Sequence, residues 1–448
     1  MIDVAQSHIF HRKIRGQYPL AVRASGMRII DAHGKHYIDG VSGASVCSLG
    51  YGDPDVVDAV RRQVESLAFV HSASFANPAA EALADKLIGR APGDFSKVYF
   101  VSGGSEAIET ALKIARQYAV LSGRDRARLF VSRANSYHGN TLGALGVGGS
   151  PGRRSLYEPL LAPKVTAPRC YAFRDQQQGE GEDGYAARLL SETAGAIEAA
   201  GPENIVAVIA EPVVGTALGA ATAPRGYFRG LRSICDRYGL LLILDEVMCG
   251  VGRTGSFFAY EQDDVRPDIL VMAKGLGAGY QPIGATLITQ DVFDTFDAAG
   301  ESFQHGHTYI GHATACAAGL AVIEKIEREK LLVRVQHRAA YMFDRLAERL
   351  GQTPYVADIR GRGLFAAVEL VADRDAKTPF AAERRIAQRL KDETMAQGLV
   401  CYPIGGFIDG ALGDHVMLAP AFIATEPDID EIIDKLALSI SRVVEASA

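Results

Sequence analysis

Short apolar runs alternate with longer amphipathic stretches through the middle of the chain. In order, the runs are KVYFV, LFVSR, IVAVIAEP, LLLILDE, ILVMAK and ATLIT. Runs with little polar alternation indicate strands that are buried on both faces, as in a parallel sheet. Strands that alternate with helical segments are typical of an α/β domain. We therefore predict a large α/β domain, residues 61–330, in which helices flank a mostly parallel sheet.

The two ends of the chain have a different pattern. The segment AVRASGMRIIDAHGKHYIDG predicts a hairpin or meander, because glycine and polar residues interrupt its short apolar pieces. Near the other end, helical patterns at about 332–350, 381–397 and 427–446 surround the strand-like pieces GLFAAVEL and GLVCYP. We predict that residues 1–60 and 331–448 together form a smaller α+β domain.

Composition narrows the class of protein. The 448 residues carry a formal net charge of -6, which gives no electrostatic basis for binding nucleic acid or an anionic membrane. No apolar run approaches the ~20 residues of a membrane span, and the N-terminus lacks a signal-peptide core. The six cysteines show no CxxC spacing and predict neither a disulfide framework nor a zinc site. We expect a soluble, cytoplasmic enzyme without nucleic-acid or membrane partners.

Two of the apolar runs end in residues that could carry chemistry. LLLIL turns abruptly polar at Asp245, and ILVMA is followed directly by Lys274. Functional groups in parallel sheets lie just past the carboxyl ends of the strands, so both side chains should share one edge. Pyridoxal phosphate needs this pair, because it forms a Schiff base with a lysine and places its pyridine nitrogen against an acid.

A phosphate site is predicted at the start of a helix. The strand KVYFV leads into SGGSE, with Gly104 and Ser105 just before the helical pattern AIETALKIARQYAV. The first free N–H groups of such a helix favour an anion, although many strand–glycine–helix joints are only tight turns. Thr308, beside Gly306, is a candidate for a second phosphate ligand.

Two more residues follow strands of the same predicted sheet. Tyr137, with His138 after it, could stack on a flat heteroaromatic ring, although a tyrosine that only packs in the core is an equally simple interpretation. Glu211 ends the run IVAVIA. Because charges are rarely buried without a partner, Glu211 either faces a basic group or lines the active site.

Three other interpretations of these motifs remain open. An apolar strand ending in Asp-Glu also fits a Walker B motif, but the sequence has no G-x-x-x-x-G-K-[ST] loop. The segment 250–255 matches G-x-G-x-x-G, yet five residues separate it from the strand and no suitable helix follows, so a nicotinamide dehydrogenase is a remote alternative. His305, His307 and His312 have loose spacing without a carboxylate, and we predict no metal site.

Taken together, these motifs resemble those of the class III pyridoxal-phosphate-dependent aminotransferases. LLILDEVMCGVGRTG resembles the family's signature strand, and PDILVMAKGLGAGYQPIGA resembles its lysine segment. VSGGSEAIETALKIAR is similar to its phosphate cup, SYHGNTLGAL to its stacking segment, and HGHTYIGHATACAAGLAV to its inter-subunit loop. The resemblance covers nearly the whole chain and is specific to the ω-amino-acid and polyamine transaminase group.

The resemblance implies fold type I with pyridoxal 5'-phosphate as cofactor. Lys274 would bind the cofactor covalently and move protons, and Asp245 would keep the pyridine nitrogen protonated. Val247 would pack on one face of the ring and Tyr137 on the other. His138 would also contact the cofactor.

The same resemblance implies a homodimer or tetramer with active sites shared between subunits. Gly104 and Ser105 would bind the phosphate from one subunit, and Thr308 would bind it from the neighbour. Glu211, which in the family often pairs with an arginine, and Tyr309 would lie near the substrate.

One position departs from the family pattern. Many members carry a mobile arginine near the GDH segment to bind a substrate carboxylate, and this chain has Gly410 at about that place. The expected reaction is transfer of an amino group from an ω-amine or ω-amino acid to a keto acid such as pyruvate or 2-oxoglutarate, by ping-pong chemistry. A dialkylglycine-type decarboxylase or an aminomutase on the same scaffold is the alternative.

Overall fold

The structure is a computed structural model that describes residues 1–445. A seven-stranded mixed sheet lies at its centre. The strands are β1 (Ile2–Asp3), β2 (Gln17–Tyr18), β3 (Ala21–Ser25), β4 (Arg28–Asp31), β5 (His36–Asp39), β6 (Phe95–Val101), β7 (Leu129–Arg133), β8 (Val165–Ala167), β9 (Ile205–Ala210), β10 (Val213–Val214), β11 (Ala221–Thr222), β12 (Leu241–Asp245), β13 (Ile269–Met272), β14 (Gly284–Thr289), β15 (Val356–Gly361), β16 (Ala366–Leu370), β17 (Leu399–Val400), β18 (Tyr402–Gly405) and β19 (Asp414–Leu418). The α-helices are α1 (Ser42–Ser45), α2 (Pro54–Ser66), α3 (Pro78–Arg90), α4 (Gly104–Leu121), α5 (Leu142–Val147), α6 (Pro151–Arg154), α7 (Ala172–Asp175), α8 (Glu182–Ala200), α9 (Tyr227–Tyr238), α10 (Gln290–Ala299), α11 (Ala313–Arg328), α12 (Leu331–Leu350), α13 (Ile386–Ala396) and α14 (Glu426–Glu445).

The central sheet has the order β6-β14-β13-β12-β9-β7-β8. The five strands from β13 to β8 pair in parallel, whereas β14 is antiparallel to both of its neighbours. The prediction of a mostly parallel sheet flanked by helices is therefore confirmed. The reversed direction of β14 and the three-residue strand β8 were not predicted, because pairing direction and very short strands leave no periodicity in the sequence.

Helices cover the central strands on both faces of the sheet. Leu241 and Ile243 of β12 lie in one apolar cluster with side chains of α4. The intervening Leu242 and Leu244 lie in a separate cluster with side chains of α9. Because successive side chains of a strand point to opposite faces, both faces of β12 must be apolar. This explains why the run lacks polar alternation until Asp245, where the strand ends.

Two smaller four-stranded sheets come from the ends of the chain. One has the order β17-β5-β4-β3 and contains the predicted N-terminal meander, which strand β17 from the C-terminal part joins in parallel. The other, β15-β16-β19-β18, is antiparallel throughout. The three predicted C-terminal helices are confirmed as α12, α13 and α14. The second begins at Ile386 rather than near residue 381, because a 3-10 turn at residues 382–384 and the left-handed Arg385 precede it. The expected end of the third at Ala446 lies outside the described residues. The proposed domain boundaries at residues 60 and 330 stay a prediction.

The glycine-rich segment after β12 attaches the C-terminal part of the chain to the central sheet. The buried guanidinium of Arg253 donates to the main-chain oxygens of Leu364 and Pro420, and Leu364 N–H donates back to Arg253 O. A dinucleotide fingerprint requires an α-helix directly after its glycines, but here a 3-10 turn at residues 259–263 follows. The match to G-x-G-x-x-G therefore belongs to a structural loop.

Across residues 1–445, no helix has the length and apolar content needed to cross a lipid bilayer.

Candidate active site

A cavity of about 480 Å³ opens at the carboxyl ends of β12 and β13. Strand β12 pairs with β13 in parallel, with Asp245 opposite Val271, so that Asp245 and Lys274 reach the same edge of the sheet. This confirms the placement predicted from the sequence. Of the ten candidate residues, the cavity brings together eight, namely Lys274, Asp245, Gly104, Ser105, Tyr137, His138, Val247 and Glu211.

The carboxylate of Asp245 is held in a fixed orientation inside the cavity wall. Its Oδ2 lies 2.8 Å from Nδ1 of the buried His138, and its Oδ1 accepts a hydrogen bond from Val247 N–H at 3.0 Å. The next residue, Glu246, points away and accepts from the main chain of residues 259 and 260. Each carboxylate oxygen can accept more than one hydrogen bond, so Asp245 can still accept a proton donor from the cavity.

Lys274 begins a 3-10 turn immediately after β13 and has a strained backbone. Its φ is 45°, in the left-handed region that non-glycine residues rarely adopt. Burial lowers the pKa of its ammonium group to about 8, although Asp245 and Glu211 oppose this shift. Among the described residues, its side chain has no hydrogen-bond or ion-pair partner, so the amine is free to react in the cavity.

The N-terminus of α4 supplies main-chain donors at one end of the cavity. Helix α4 begins at Gly104 without a side-chain cap, which leaves its first N–H groups available to an anion. Ser105 Oγ accepts from Asn140 N–H at 3.0 Å, which ties this turn to the segment after Tyr137. The arrangement fits a phosphate group, as the sequence predicts.

Glu211 is buried, and its carboxylate is only partly satisfied. Oε1 accepts a hydrogen bond from Tyr137 N–H at 3.1 Å, whereas Oε2 has no partner within the described chain. Burial raises the pKa of Glu211 to about 7, against the opposing effect of His138. Arg133 lies beside it but donates to the main-chain oxygen of Glu211 rather than to the carboxylate.

Thr308 and Tyr309 do not line this cavity. Both are exposed on the loop between α10 and α11, and the Tyr309 ring packs against Phe69, with ring centres 5.4 Å apart. If they serve an active site, it must be that of another copy of the chain, as the resemblance implies.

One group of metal-ligating side chains occurs in the part of the chain that is described. His138, Glu211 and Asp245 offer ligand atoms within 4.8 Å of one another. His305, His307 and His312, the histidines considered as possible metal ligands from the sequence, do not form such a group within the described residues. Nε2 of His305 instead lies 2.9 Å from Thr110 Oγ1.

Several features of the cavity were not predicted. Val46, Val213, Met248 and Gln281 also line it, and His138 contacts Asp245 directly. These residues come from segments that are distant from one another in the sequence, and no motif marks them. The strand ends alone could have suggested Val213 and Met248, since each follows a predicted strand by a few residues.

Known proteins resemble the chain over nearly its full length. A family model described as aminotransferase class-III matches residues 12–440. An uncharacterized aminotransferase of Schizosaccharomyces pombe is 38% identical over 442 residues, which cover 98% of this chain and 96% of that protein. A taurine–pyruvate aminotransferase of Bilophila wadsworthia is 37% identical over 418 residues, which cover 92% of this chain and 90% of that protein.

Solved structures share the fold. An (S)-enantioselective ω-transaminase from Thermomicrobium roseum superimposes with a TM-score of 0.92 at 33% identity, covering 99% of this chain and 97% of the other. The ω-transaminase of Pseudomonas jessenii, in complex with PMP, gives a TM-score of 0.90 at 33% identity, covering 96% and 93%. Because sequence and fold agree over almost every residue, the chain belongs to the class-III aminotransferase family and is an aminotransferase of fold type I.

Proposed function

We propose that this aminotransferase uses pyridoxal 5'-phosphate to move an amino group from an ω-amine or ω-amino acid to a keto acid such as pyruvate or 2-oxoglutarate. The observation that carries the proposal is the meeting of Lys274, Asp245 and the N-terminus of α4 around one cavity. Two structural neighbours that are named ω-transaminases, one of them in complex with PMP, support the choice of donor and cofactor.

The phosphate end of the cavity fits the cofactor because two glycines keep it open. A Cβ on Gly104 would lie 2.9 Å from a methyl carbon of Val247, and a Cβ on Gly139 would lie 2.7 Å from Ser105 Oγ. Real side chains do not tolerate such distances, so both positions require glycine. Main-chain N–H groups and the Ser105 hydroxyl can then surround a phosphate at the helix N-terminus.

The other end of the cavity fits a flat ring with a basic nitrogen. The Asp245 carboxylate can accept a ring N–H, and Val247 and Tyr137 line the cavity where they can pack on the two ring faces. Glu211 Oε2 and His138 Nε2 are buried without a partner in residues 1–445, which leaves polar capacity for a bound molecule. Glu211 and His138, together with Asp245, also form the group of possible metal ligands, but three buried groups that face a heteroaromatic cofactor need no ion.

Residues of the chain then have distinct tasks in the reaction. When bound, pyridoxal phosphate supplies an aldehyde that condenses with amines and a protonated ring that withdraws electrons. The Lys274 amine, which its lowered pKa makes easier to deprotonate than an exposed lysine, removes and returns the proton at the substrate carbon. The Asp245 carboxylate, oriented by His138 and Val247 N–H, keeps the ring nitrogen protonated.

The absorption spectrum of the purified protein tests this function. A band near ~410–420 nm that shifts toward ~330 nm on addition of an ω-amine, and returns on addition of pyruvate, is the expected result. Treatment with EDTA should leave this cycle intact. A protein that stays colourless after addition of the cofactor would contradict the proposal. Carbon dioxide release by a dialkyl amino acid, or an isomerised product with no free keto acid, would instead indicate the decarboxylase or aminomutase.

The lowered pKa of Lys274 predicts how cofactor capture depends on pH. Only the neutral amine attacks the aldehyde, so capture by the apoenzyme should accelerate nearly tenfold per pH unit below pH about 8 and level off above it. Stopped-flow absorbance between roughly pH 6 and 9 measures this rate. The free cofactor with a simple primary amine of ordinary pKa is the control, since its rate should still rise above pH about 8. A flat profile for the enzyme would contradict the assignment.

Thr308 is proposed to complete the phosphate site of a neighbouring subunit, with Tyr309 near the substrate. The loop that carries them shares an exposed apolar surface with Phe69: the Tyr309 ring, 59% exposed, packs on Phe69, which is 36% exposed. Exposed apolar side chains grouped on one surface often mark an interface between subunits. We therefore propose a homodimer, alone or paired into a tetramer, with shared active sites.

Mixed dimers test the shared site. Thr308→Ala alone should weaken cofactor affinity roughly tenfold, the effect of one lost hydrogen bond to a charged group. In a heterodimer of Lys274→Ala with Thr308→Ala subunits, one site receives both changes and the other receives none. One site per dimer should therefore regain wild-type affinity. If Thr308 served its own subunit, no wild-type site would form, and such a result would reject the proposal.

A further inference from the structure

The guanidinium of Arg153 lies beside the cavity, on a residue that lines it, and uses none of its hydrogen-bond donors. Its central carbon lies 4.5 Å from the centre of the Tyr137 ring, which lines the cavity. The side chain makes no hydrogen bond or ion pair with any residue between 1 and 445. Stacking on an aromatic face fixes the plane of a guanidinium and leaves its N–H fork free for a planar anion.

Neighbouring arginines are committed to the protein itself. Arg154 donates to the main-chain oxygens of Leu145, Gly146 and Gly148 and pairs with Glu158. Arg133 donates to the main chain of Glu211, as described above. Of these three arginines, Arg153 is therefore the one whose side-chain N–H groups have no partner within the described chain.

The cavity lacks another cation that could bind a substrate anion. Among its lining residues Lys274 is basic, whereas Asp245 and Glu211 are acidic, and Lys274 is needed for proton transfer. Arg153 lies beside the cavity because it stacks on Tyr137, which lines it. After the larger effect of burial, its positive charge also contributes to the lowered pKa of Lys274. An acidic cavity would repel a carboxylate unless a cation compensates.

The loop at residues 406–413 lies beside Gly152, the residue before Arg153. A Cβ on Gly152 would lie 3.8 Å from Gly410 Cα, which is an ordinary van der Waals distance. The same loop is tied down where Asn135 Nδ2 donates to Phe407 O at 2.6 Å. Because Gly410 has no side chain, none extends from this position of the loop toward Gly152.

From this placement we infer that Arg153 binds the carboxylate of the substrate, whether carried by the keto-acid acceptor or by an ω-amino-acid donor. Arginine matches a carboxylate with two parallel N–H···O bonds, which gives both affinity and orientation. The inference rests on the proposed function, and it makes Arg153 the residue that selects carboxylate-bearing substrates over neutral ones.

Matched substrates test the inference on the holoenzyme. Pyruvate and acetone differ only in that a methyl group replaces the carboxylate, and β-alanine and propylamine form the corresponding donor pair. In Arg153→Met, KM for pyruvate and β-alanine should rise roughly 10- to 100-fold, as expected for loss of a charge-assisted pair, while KM for acetone and propylamine stays unchanged. Arg153→Lys should recover part of the loss, since it restores charge without the planar fork.

Arg12→Met is the control. Arg12 lines a separate basic cavity that also borders Gly410, so its loss removes a nearby positive charge outside the active site. This variant should show wild-type KM values for all four substrates. A carboxylate-selective loss in Arg12→Met, or an equal loss for neutral and anionic substrates in Arg153→Met, would overturn the inference.

Calorimetry with propionate, a carboxylate that cannot react, separates this inference from the proposed function. Propionate should bind the wild-type holoenzyme, and Arg153→Met should bind it roughly 10- to 100-fold more weakly. Unchanged propionate affinity in Arg153→Met would reject the carboxylate role even if transamination is observed. A wild-type protein that shows no spectral cycle with any amine would reject the proposed function, and the propionate result would still decide the role of Arg153.

Discussion

Replacing Lys274 with alanine should abolish covalent attachment of the cofactor and lower kcat by roughly 10²–10⁴-fold or more, since a positioned proton-transfer group alone contributes that much. The cavity places no other amine next to Asp245, so no described side chain can substitute. Borohydride reduction followed by mass spectrometry should find the cofactor on Lys274 in the wild type and on no residue in the variant.

Lys164 provides a matched control for this experiment. Burial lowers its pKa to about 8 as well, but its ammonium group donates to Ser132 Oγ and Thr166 Oγ1, away from the active-site cavity. Lys164→Ala should keep the absorption band at ~410–420 nm and the turnover of the wild type. Normal turnover in Lys274→Ala, or attachment of the cofactor to Lys164, would show that the lysine assignment is wrong.

The comparison of Lys274 with Lys164 shows which parts of the site could be predicted from the sequence. A lowered pKa is not visible in the sequence, but Lys274 stands directly after a run that is apolar on both faces. A run this short indicates a strand buried on both faces, and the first polar residue after such a strand is expected at the edge of the sheet. The position of Asp245 is predicted in the same way, because it ends the apolar run LLLIL. The parallel pairing of β12 with β13 confirms that Asp245 and Lys274 share an edge of the sheet.

Contacts between distant segments could not be predicted in this way. His138 and Asp245 are 107 residues apart, and their hydrogen bond depends on how the loops after β7 and β12 fold toward each other. Arg153 lies on the four-residue helix α6, and only the structure shows that its guanidinium stacks on Tyr137. Sequence periodicity reports which face of an element is buried, and it carries no information about which loops meet above that face.

Gly250 to Gly255 shows the opposite case, in which a local motif was present without the expected function. The glycines turn the chain so that the Arg253 guanidinium can reach main-chain oxygens of the C-terminal segment. Gly252 and Gly255 have φ values of 91° and 94°, which explains why glycine stands at both positions. A glycine motif by itself indicates a tight turn. It indicates a dinucleotide site only when an α-helix follows it.

Asp245→Asn should lower kcat by roughly 10²–10⁴-fold while leaving the fold and cofactor binding largely intact. The amide oxygen can still accept from Val247 N–H, and the amide nitrogen can donate to His138 Nδ1 if the ring changes tautomer. The packing is therefore conserved, whereas the negative charge that keeps the ring nitrogen protonated is lost. Single-turnover absorbance changes with an ω-amine measure the rate, and thermal unfolding checks the fold.

A cofactor methylated at the ring nitrogen distinguishes this electrostatic role from a structural one. Its nitrogen carries a permanent positive charge, so it needs no carboxylate to stay cationic. Reconstitution with this analogue should restore much of the lost rate in Asp245→Asn and should not improve the wild type. Asp264→Asn, a change of an exposed carboxylate at the protein surface, is the control and should behave as wild type. If the analogue restored nothing, Asp245 would act by holding the cavity together, and the proposed proton-holding role would have to be abandoned.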